Sequence, residues 1–233
     1  MYIIYQATFL EIVMSDGGNP LRGSSVYVLE QLRDAITSGT LRPGSPIRQR
    51  QIADQFKLSH IPVREALWQL ESEGLVVASH NRGMTVASLT EAEALELTEF
   101  RALLEEYLAR RCVPRLSDTD LAQAEQAIAA IDRAQNTTEI VEFNSAFHRI
   151  LYQRADAPHF LRAVEQARVN LGRYLLMTWR REGQTDRSQE EHRQILEACR
   201  RGDAEEAGRI MATHVRAVGE SVVRLIREQA QTL

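Results

Sequence analysis

Between residues 24 and 76, apolar side chains recur at helical spacing in three short blocks. Val26, Leu29, Leu32 and Ile36 predict a first helix, which Ser24 or Ser25 can cap and Gly39 ends, with Pro43-Gly44 beyond. Ile52, Ala53 and Phe56 predict a second helix from about Arg48 to Lys57. After the short Leu58-Ser59 turn, Val63, Ala66, Leu67 and Leu70 predict a third, ending at Gly74. Ser59 is placed to cap it through its hydroxyl, and Pro62 sits in the first turn, where a missing N–H costs nothing. The pattern then shifts to Leu75-Val76-Val77, a polar Ser79–Gly83 turn and Met84-Thr85-Val86, which predicts a small hairpin with His80 and Arg82 at its tip. From Leu89 onward no strand pattern occurs. Capping residues ahead of amphipathic runs predict six helices, roughly 90–112, 117–134, 138–155, 158–182, 187–201 and 203–230.

The expected architecture is mainly α. A flexible tail (1–20) precedes a winged helix-turn-helix of three helices and a hairpin (21–88), and an all-α six-helix bundle follows (89–233). At 233 residues and 44% apolar content, the chain can form ordinary cores in one or two domains. No apolar run approaches a membrane span and the start lacks the basic stretch of a secretion signal, so a cytoplasmic protein without membrane contact is expected. Cys112 and Cys199 lie far apart in separate helical patterns and read as buried, reduced thiols.

Net charge, −4 overall, argues against nucleic acid until it is divided. Residues 22–88 carry eight Lys/Arg against six Asp/Glu, a balance of +2. A weakly basic reading unit in an acidic chain suits a DNA binder that uses two copies of that unit, hence a homodimer. In the third helix Arg64 and Glu65 fall outside the apolar stripe, which leaves a guanidinium fork near the helix start, where such helices meet bases and phosphates.

Pro43-Gly44, the arginines of the second helix, the run Ser59-x-x-Pro62-Val63-Arg64-Glu65-Ala66-Leu67, then Glu73-Gly74-Leu75 and Gly83 resemble the GntR family of bacterial winged-helix repressors. The resemblance implies DNA contacts from Arg50, from Ser59, His60, Ile61, Pro62 and Arg64, and from His80 and Asn81 at the wing tip, with Arg48 as a further candidate. His60 stands where the family usually carries Arg, so a guanidinium contact is replaced by a shorter, mostly neutral group.

In the bundle, Asn144 and His148 lie four apart on one helix face, beside Ile140, Phe143, Phe147 and Leu151. His192 sits on an apolar face with Ile195, Leu196 and Cys199, and His214 among Ala207, Ile210, Met211, Val218 and Leu225. Inward histidines need partners, because burying an imidazole without a hydrogen bond or ligand carries a desolvation cost. Periodicity alone leaves open whether these are satisfied core residues or metal ligands. His159, Tyr174 and Trp179 read as packing residues.

The segments Phe143–His148, Glu191–Leu196 and Met211–His214 are similar to the three signature pieces of the FCD effector domain of FadR-type GntR regulators, and that resemblance covers residues 90–230. Six helices match its shorter, VanR-like version. It implies that Asn144, His148, His192 and His214 hold a divalent metal ion such as zinc, nickel or manganese, with open positions for the carboxylate of a small organic acid. Arg101, in the segment Glu99–Glu105, matches the family's first-helix arginine and is a candidate second anchor for such an effector; its other reading is a surface pair with Glu105. Asn144 brings no charge where Asp would, which leaves the ion its full +2.

The expected function is a one-component transcriptional repressor that binds a palindromic operator as a homodimer and answers to the acid. A hydrolytic metalloenzyme is the rival from another class, disfavoured because no general base stands in a motif such as His-Glu-x-x-His and an enzyme has no use for a reading unit. A regulator whose metal is purely structural is the third reading.

Overall fold

The computed structural model describes residues 24–79, 83–182 and 186–231. Its chain contacts divide into two compact units, with the division between Leu89 and Thr90.

In the first unit, helix α1 (Ser25–Thr37) begins where the Tyr27 amide donates to the Ser24 hydroxyl at 3.2 Å. Its buried face is Tyr27, Val28, Leu32, Ala35 and Ile36. Val26, expected in that stripe, is 49% exposed. Positions 28, 32 and 36 form one row, and two residues of helix turn Val26 to the far side. Strand β1 (Pro46–Ile47) precedes α2 (Gln49–Phe56). Lys57 adopts a left-handed conformation at φ 56°, and the chain turns directly into α3 (His60–Ser72). Gly74, at φ 72°, ends α3, and the Leu75 amide donates back to the Leu70 carbonyl at 2.9 Å. Arg33 of α1 grips Glu73 with both its Nε (3.0 Å) and a terminal nitrogen (2.6 Å), which fixes the C-terminal end of α3.

Strands β2 (Val76–Ser79) and β3 (Gly83–Val86) form the expected hairpin, with Val76 opposite Val86. The sheet has a third strand that the sequence did not announce: β1 pairs antiparallel with β3, giving the order β1-β3-β2. Two residues carry no periodicity, and Pro46 is tolerated because β1 lies at the sheet edge.

The second unit holds six α-helices among its described residues, and the fold is mainly α as expected. Helix α4 (Glu91–Cys112) starts with a capping box, Glu93 N to Thr90 Oγ1 at 3.2 Å and Thr90 N to Glu93 Oε2 at 2.7 Å. A single 3₁₀ turn (Val113–Arg115) leads to α5 (Asp118–Arg133), boxed by Ser117 and Asp120. Helix α6 (Thr137–Tyr152) is capped by Asn136 rather than Thr137 or Thr138 and ends three residues short of the expected limit. It stops because Asp156 turns to φ 48° and Ala155 closes a turn onto Tyr152. Helices α7 (Pro158–Glu182), α8 (Asp186–Arg200) and α9 (Ala204–Gln231) complete the bundle. Leu108, Phe147, Leu151, Ile195 and Met211 meet in its core. Helices α4 and α9 cross at close range: a Cβ on Gly219 would collide with the Thr98 side chain. Cys112 and Cys199 are buried free thiols, and burial raises their pKa values to about 11 and about 12.

Candidate functional site

Three helices deliver the inward histidines to one place. His148 on α6, His192 on α8 and His214 on α9 are all buried, and one candidate ligand atom from each lies within 4.8 Å of the others. Ring centroids are 5.5 Å apart for His148 and His192, 5.4 Å for His148 and His214, and 4.7 Å for His192 and His214. Asn144, one turn before His148, is buried too.

A second layer fixes which nitrogen of each ring is free. The Tyr152 hydroxyl donates to Glu105 Oε2 at 2.6 Å, so its oxygen accepts from His148 Nδ1 at 3.2 Å. Gln189 spends its amide nitrogen on Asp132 Oδ1 (2.6 Å) and the Ile128 carbonyl (3.2 Å), so its oxygen accepts from His192 Nδ1 at 2.8 Å. Glu191, a carboxylate, accepts from His214 Nδ1 at 2.9 Å. All three rings are therefore held as the Nδ1–H tautomer, with the Nε2 lone pair left over. That is how metal-binding histidines are commonly oriented from behind.

Within the cluster of Asn144, His148, His192 and His214, the buried His192 Nε2 and Asn144 Oδ1 have no hydrogen-bond partner among the described residues. A buried acceptor without a donor costs free energy, and a cation removes that cost where a hydrocarbon neighbour does not. Three imidazole nitrogens and one amide oxygen form a donor set that borderline divalent ions accept. Burial, followed by the charge of Arg168 and the neighbouring rings, holds His148 well below the usual imidazole pKa. Burial, followed by the neighbouring His214 ring, does the same for His192. Both rings stay neutral, as ligands must.

Arg101 pairs with Glu105, but not at the surface. Glu105 is fully buried, and Arg101 Nε donates to its Oε1 at 2.8 Å. Burial would raise the Glu105 pKa, yet the charges of Arg101 and Arg168 and the Tyr152 hydrogen bond outweigh it, and the net shift is downward. A buried ionic group thus stands directly behind His148, whose Nδ1 is 3.5 Å from the Glu105 carboxylate. Tyr152, Gln189 and Glu191 were missed in the sequence, although their offsets of three or four residues, from His148, His192 and Arg187, were visible; Glu105 was read there only as a surface partner of Arg101. Of the packing residues, Tyr174 and Trp179 are buried, whereas His159 is exposed beside Arg162.

In the first unit, α3 presents Ile61, Arg64, Glu65 and Trp68 on its outward face, with Ile61 59% and Trp68 55% exposed. Ser59 and His60 are exposed and Pro62 is half-buried. Gln49 Nε2 donates to the His60 carbonyl at 2.8 Å and ties the start of α2 to the start of α3. Ser59 occupies the N-cap position, but its hydroxyl makes no capping bond, contrary to expectation. The first-turn amides of α3 are left without that intramolecular acceptor. Arg48 and Arg50 are exposed at the beginning of α2. His80 and Asn81, with Arg82, lie outside the described residues. The Arg64 guanidinium rests 5.0 Å above the Trp68 ring.

A winged helix-turn-helix followed in the chain by an all-helical unit is the build of a DNA-binding transcription regulator. The FCD domain family matches residues 96–217, more than half of the chain, and the family described as "Bacterial regulatory proteins, gntR family" matches residues 25–86. The chain belongs to the FCD-domain regulators of the GntR family. It is a regulator, not an enzyme. It is 26% identical to the HTH-type transcriptional repressor RspR of Escherichia coli over 91% of this chain and 93% of that one. It is 28% identical to a probable D-xylose utilization operon repressor of Paenarthrobacter nicotinovorans, over 82% and 86%. A solved GntR-family regulator from Pseudomonas syringae covers 97% of the chain, and is itself 95% covered, at 28% identity and a TM-score of 0.57. Escherichia coli McbR/YncC shares the fold, with a TM-score of 0.73 at 23% identity over 88% and 98%.

Proposed function

We propose that this regulator is a cytoplasmic homodimeric repressor whose bundle holds one divalent cation on Asn144, His148, His192 and His214 and, beside it, a small carboxylic acid that alters operator affinity. The observation that carries the reading is the pair of orphaned acceptors, His192 Nε2 and Asn144 Oδ1, in a cluster whose histidine Nδ1 atoms are all occupied. Zinc, nickel and manganese all suit the donor set. The ion supplies a concentrated positive charge at a site with coordination positions to spare, which a carboxylate can complete. Arg101 is the candidate for anchoring a second acid group, and it would have to share its guanidinium with Glu105.

On the DNA side, residues 21–88 form the reading unit. Arg50 and Arg64 contact guanine edges or phosphates, Ser59 to Pro62 approach the backbone, and Arg48, His80 and Asn81 add contacts at the flanks. The unused Ser59 hydroxyl and the free first-turn amides suit a phosphate. Residues 89–233 form the effector and dimerisation unit; the tail expected at residues 1–20 lies outside the described residues. Relatives named as repressors favour repression over activation.

Helix α4 supports the dimer. Leu95, Phe100, Leu103 and Tyr107 are exposed along it, Leu103 by 61%, and Phe160 of α7 stacks on Tyr107 at 4.6 Å. Glu93 and Arg110 lie at equal distances either side of the Phe100–Leu103 midpoint, roughly 26 Å apart along the axis. An antiparallel two-fold pairing of α4 with its copy therefore sets each Glu93 against the other protomer's Arg110 while it covers the apolar stripe.

The test is calorimetric titration of short mono- and dicarboxylates into metal-loaded and metal-stripped protein, with and without operator DNA. Acid binding that requires metal and shifts operator affinity by about five- to 150-fold is expected. Equal acid affinity in both proteins makes the metal purely structural.

A further inference from the structure

On the outward face of α3, Trp68 lies one turn beyond Arg64, and the two side chains already touch, with the guanidinium 5.0 Å from the ring centroid. A tryptophan more than half exposed is not there for the core, whose α3 contribution is Val63, Ala66, Leu67 and Leu70. No carboxylate among the described residues pairs with Arg64, although Glu65 is its chain neighbour. The indole face is what holds the guanidinium, by attraction of the cation to the ring quadrupole.

We infer that Trp68 is a specificity-determining residue of the operator interface: it positions Arg64 for two-pronged recognition of a guanine, and its free edge with Ile61 gives the reading face an apolar wall. This rests on the assignment of α3 to the DNA groove. A free arginine side chain has many rotamers and loses them on binding, whereas one laid on an indole has already lost part of that freedom. The gain is largest where geometry is strictest. A bidentate bond to guanine O6 and N7 needs the fork in one plane, while a phosphate accepts it from many directions. Removing Trp68 therefore weakens discrimination at one base pair more than it weakens attachment to DNA in general. Ile61 and the indole edge also present the kind of surface that packs against a thymine methyl group, which favours A·T pairs beside that guanine.

The experiment uses the full chain and a duplex enriched from a random-sequence pool by the wild-type protein. Each base pair of a half-site is then replaced in turn, and binding is measured for wild type, Arg64→Ala, Trp68→Ala, Trp68→Phe and the Arg64→Ala/Trp68→Ala double variant. Arg64→Ala should lose discrimination at one G·C pair, and a failure there overturns the groove assignment itself. Given that result, Trp68→Ala should weaken binding to the enriched duplex by about three- to thirtyfold. The loss should concentrate at the same G·C pair, with an unchanged salt dependence, because no phosphate contact is removed. Trp68→Phe keeps a π face and should restore most of the affinity. The double variant should bind no worse than Arg64→Ala by more than about threefold, since Trp68 acts mainly through Arg64. Wild-type discrimination in Trp68→Ala, an equal loss on enriched and scrambled duplexes, or fully additive losses in the double variant would each overturn the inference. Thermal melting separates these results from misfolding, and an exposed site should leave it unchanged.

Discussion

The two faces on which this regulator depends are built in opposite ways. The reading face of α3 is exposed, and among the described residues it is organised by the Arg64–Trp68 contact and the Gln49–His60 bond before DNA arrives. The histidine cluster is buried, and each ring is held from behind by a partner that is itself held by another. A surface that must match a long, charged, wet polymer can leave its polar groups to solvent until the partner binds. A site enclosed in a bundle cannot, because every polar atom in it must be satisfied inside the fold or by the ligand. Substitution should therefore act on DNA affinity alone in one region, and on ligand affinity and stability together in the other.

The comparison breaks most sharply at His192. His192→Ala removes one of four proposed ligands and should reduce the metal content of purified protein from about one ion per chain to almost none, a loss exceeding about 100-fold in affinity. Elemental analysis checks it. Wild-type protein that takes up no ion when incubated with zinc, nickel or manganese would end the metal assignment altogether.

Gln189→Leu tests the layer behind. It leaves all four ligands in place but removes the acceptor that fixes the His192 tautomer, and should cost about 10- to 100-fold in metal affinity. The same variant removes the Gln189 donor from the Ile128 carbonyl and from Asp132 Oδ1, with Arg193 still on Asp132 Oδ2, so its melting temperature should fall as well. By contrast, Arg64→Ala should weaken operator binding by about 1–3 kcal/mol in gel-shift titrations and leave melting unchanged. If Arg64→Ala destabilised the fold, or Gln189→Leu did not, the contrast between the two faces would be wrong.

What the sequence made legible follows the same division. The inward histidines could be read because a polar residue on an apolar helix face is conspicuous, and His148, His192 and His214 do lie buried together. Their supports could not be singled out, since Gln189, Glu191 and Tyr152 look like ordinary helix residues until the tertiary packing selects which rings they meet. The same limit hid the burial of the Arg101–Glu105 pair: an i,i+4 spacing fixes that two side chains can meet, not that another helix covers them. In the first unit, Val26 was misplaced because short apolar runs offer more than one helical row, and β1 was invisible because two residues make no pattern. Trp68 was passed over because an exposed aromatic breaks no rule of packing. Helix ends were read to within a few residues where a cap or glycine marks them, and least well at α6, whose stop depends on Asp156 in a conformation that sequence does not signal.

The smallest expected effect concerns the bundle alone and tests whether its interior ties extend to its edge. Asp120 closes the α5 capping box with Ser117 and also accepts two bonds from Arg154, both at 3.1 Å, and one from Gln153 at 2.7 Å. The Arg154 hydrogen bonds, followed by the Ser117 backbone amide, lower its pKa from 3.8 to about 2. A carboxylate whose folded pKa is depressed contributes stability that is fully present above its unfolded value and is lost as pH falls through the folded one. Asp120→Asn keeps the shape and one acceptor oxygen but removes the charge. The variant should therefore be less stable than wild type by about 1 kcal/mol at neutral pH, a shift of roughly 2–4 °C in melting temperature. The difference should hold down to about pH 4 and close as pH falls toward 2, where wild type carries the proton as well. Melting curves of both proteins across that range, with metal and DNA absent, decide it. A constant difference at every pH would mean that the asparagine disturbs packing, and that the Asp120 charge contributes nothing to the junction of α5 and α6.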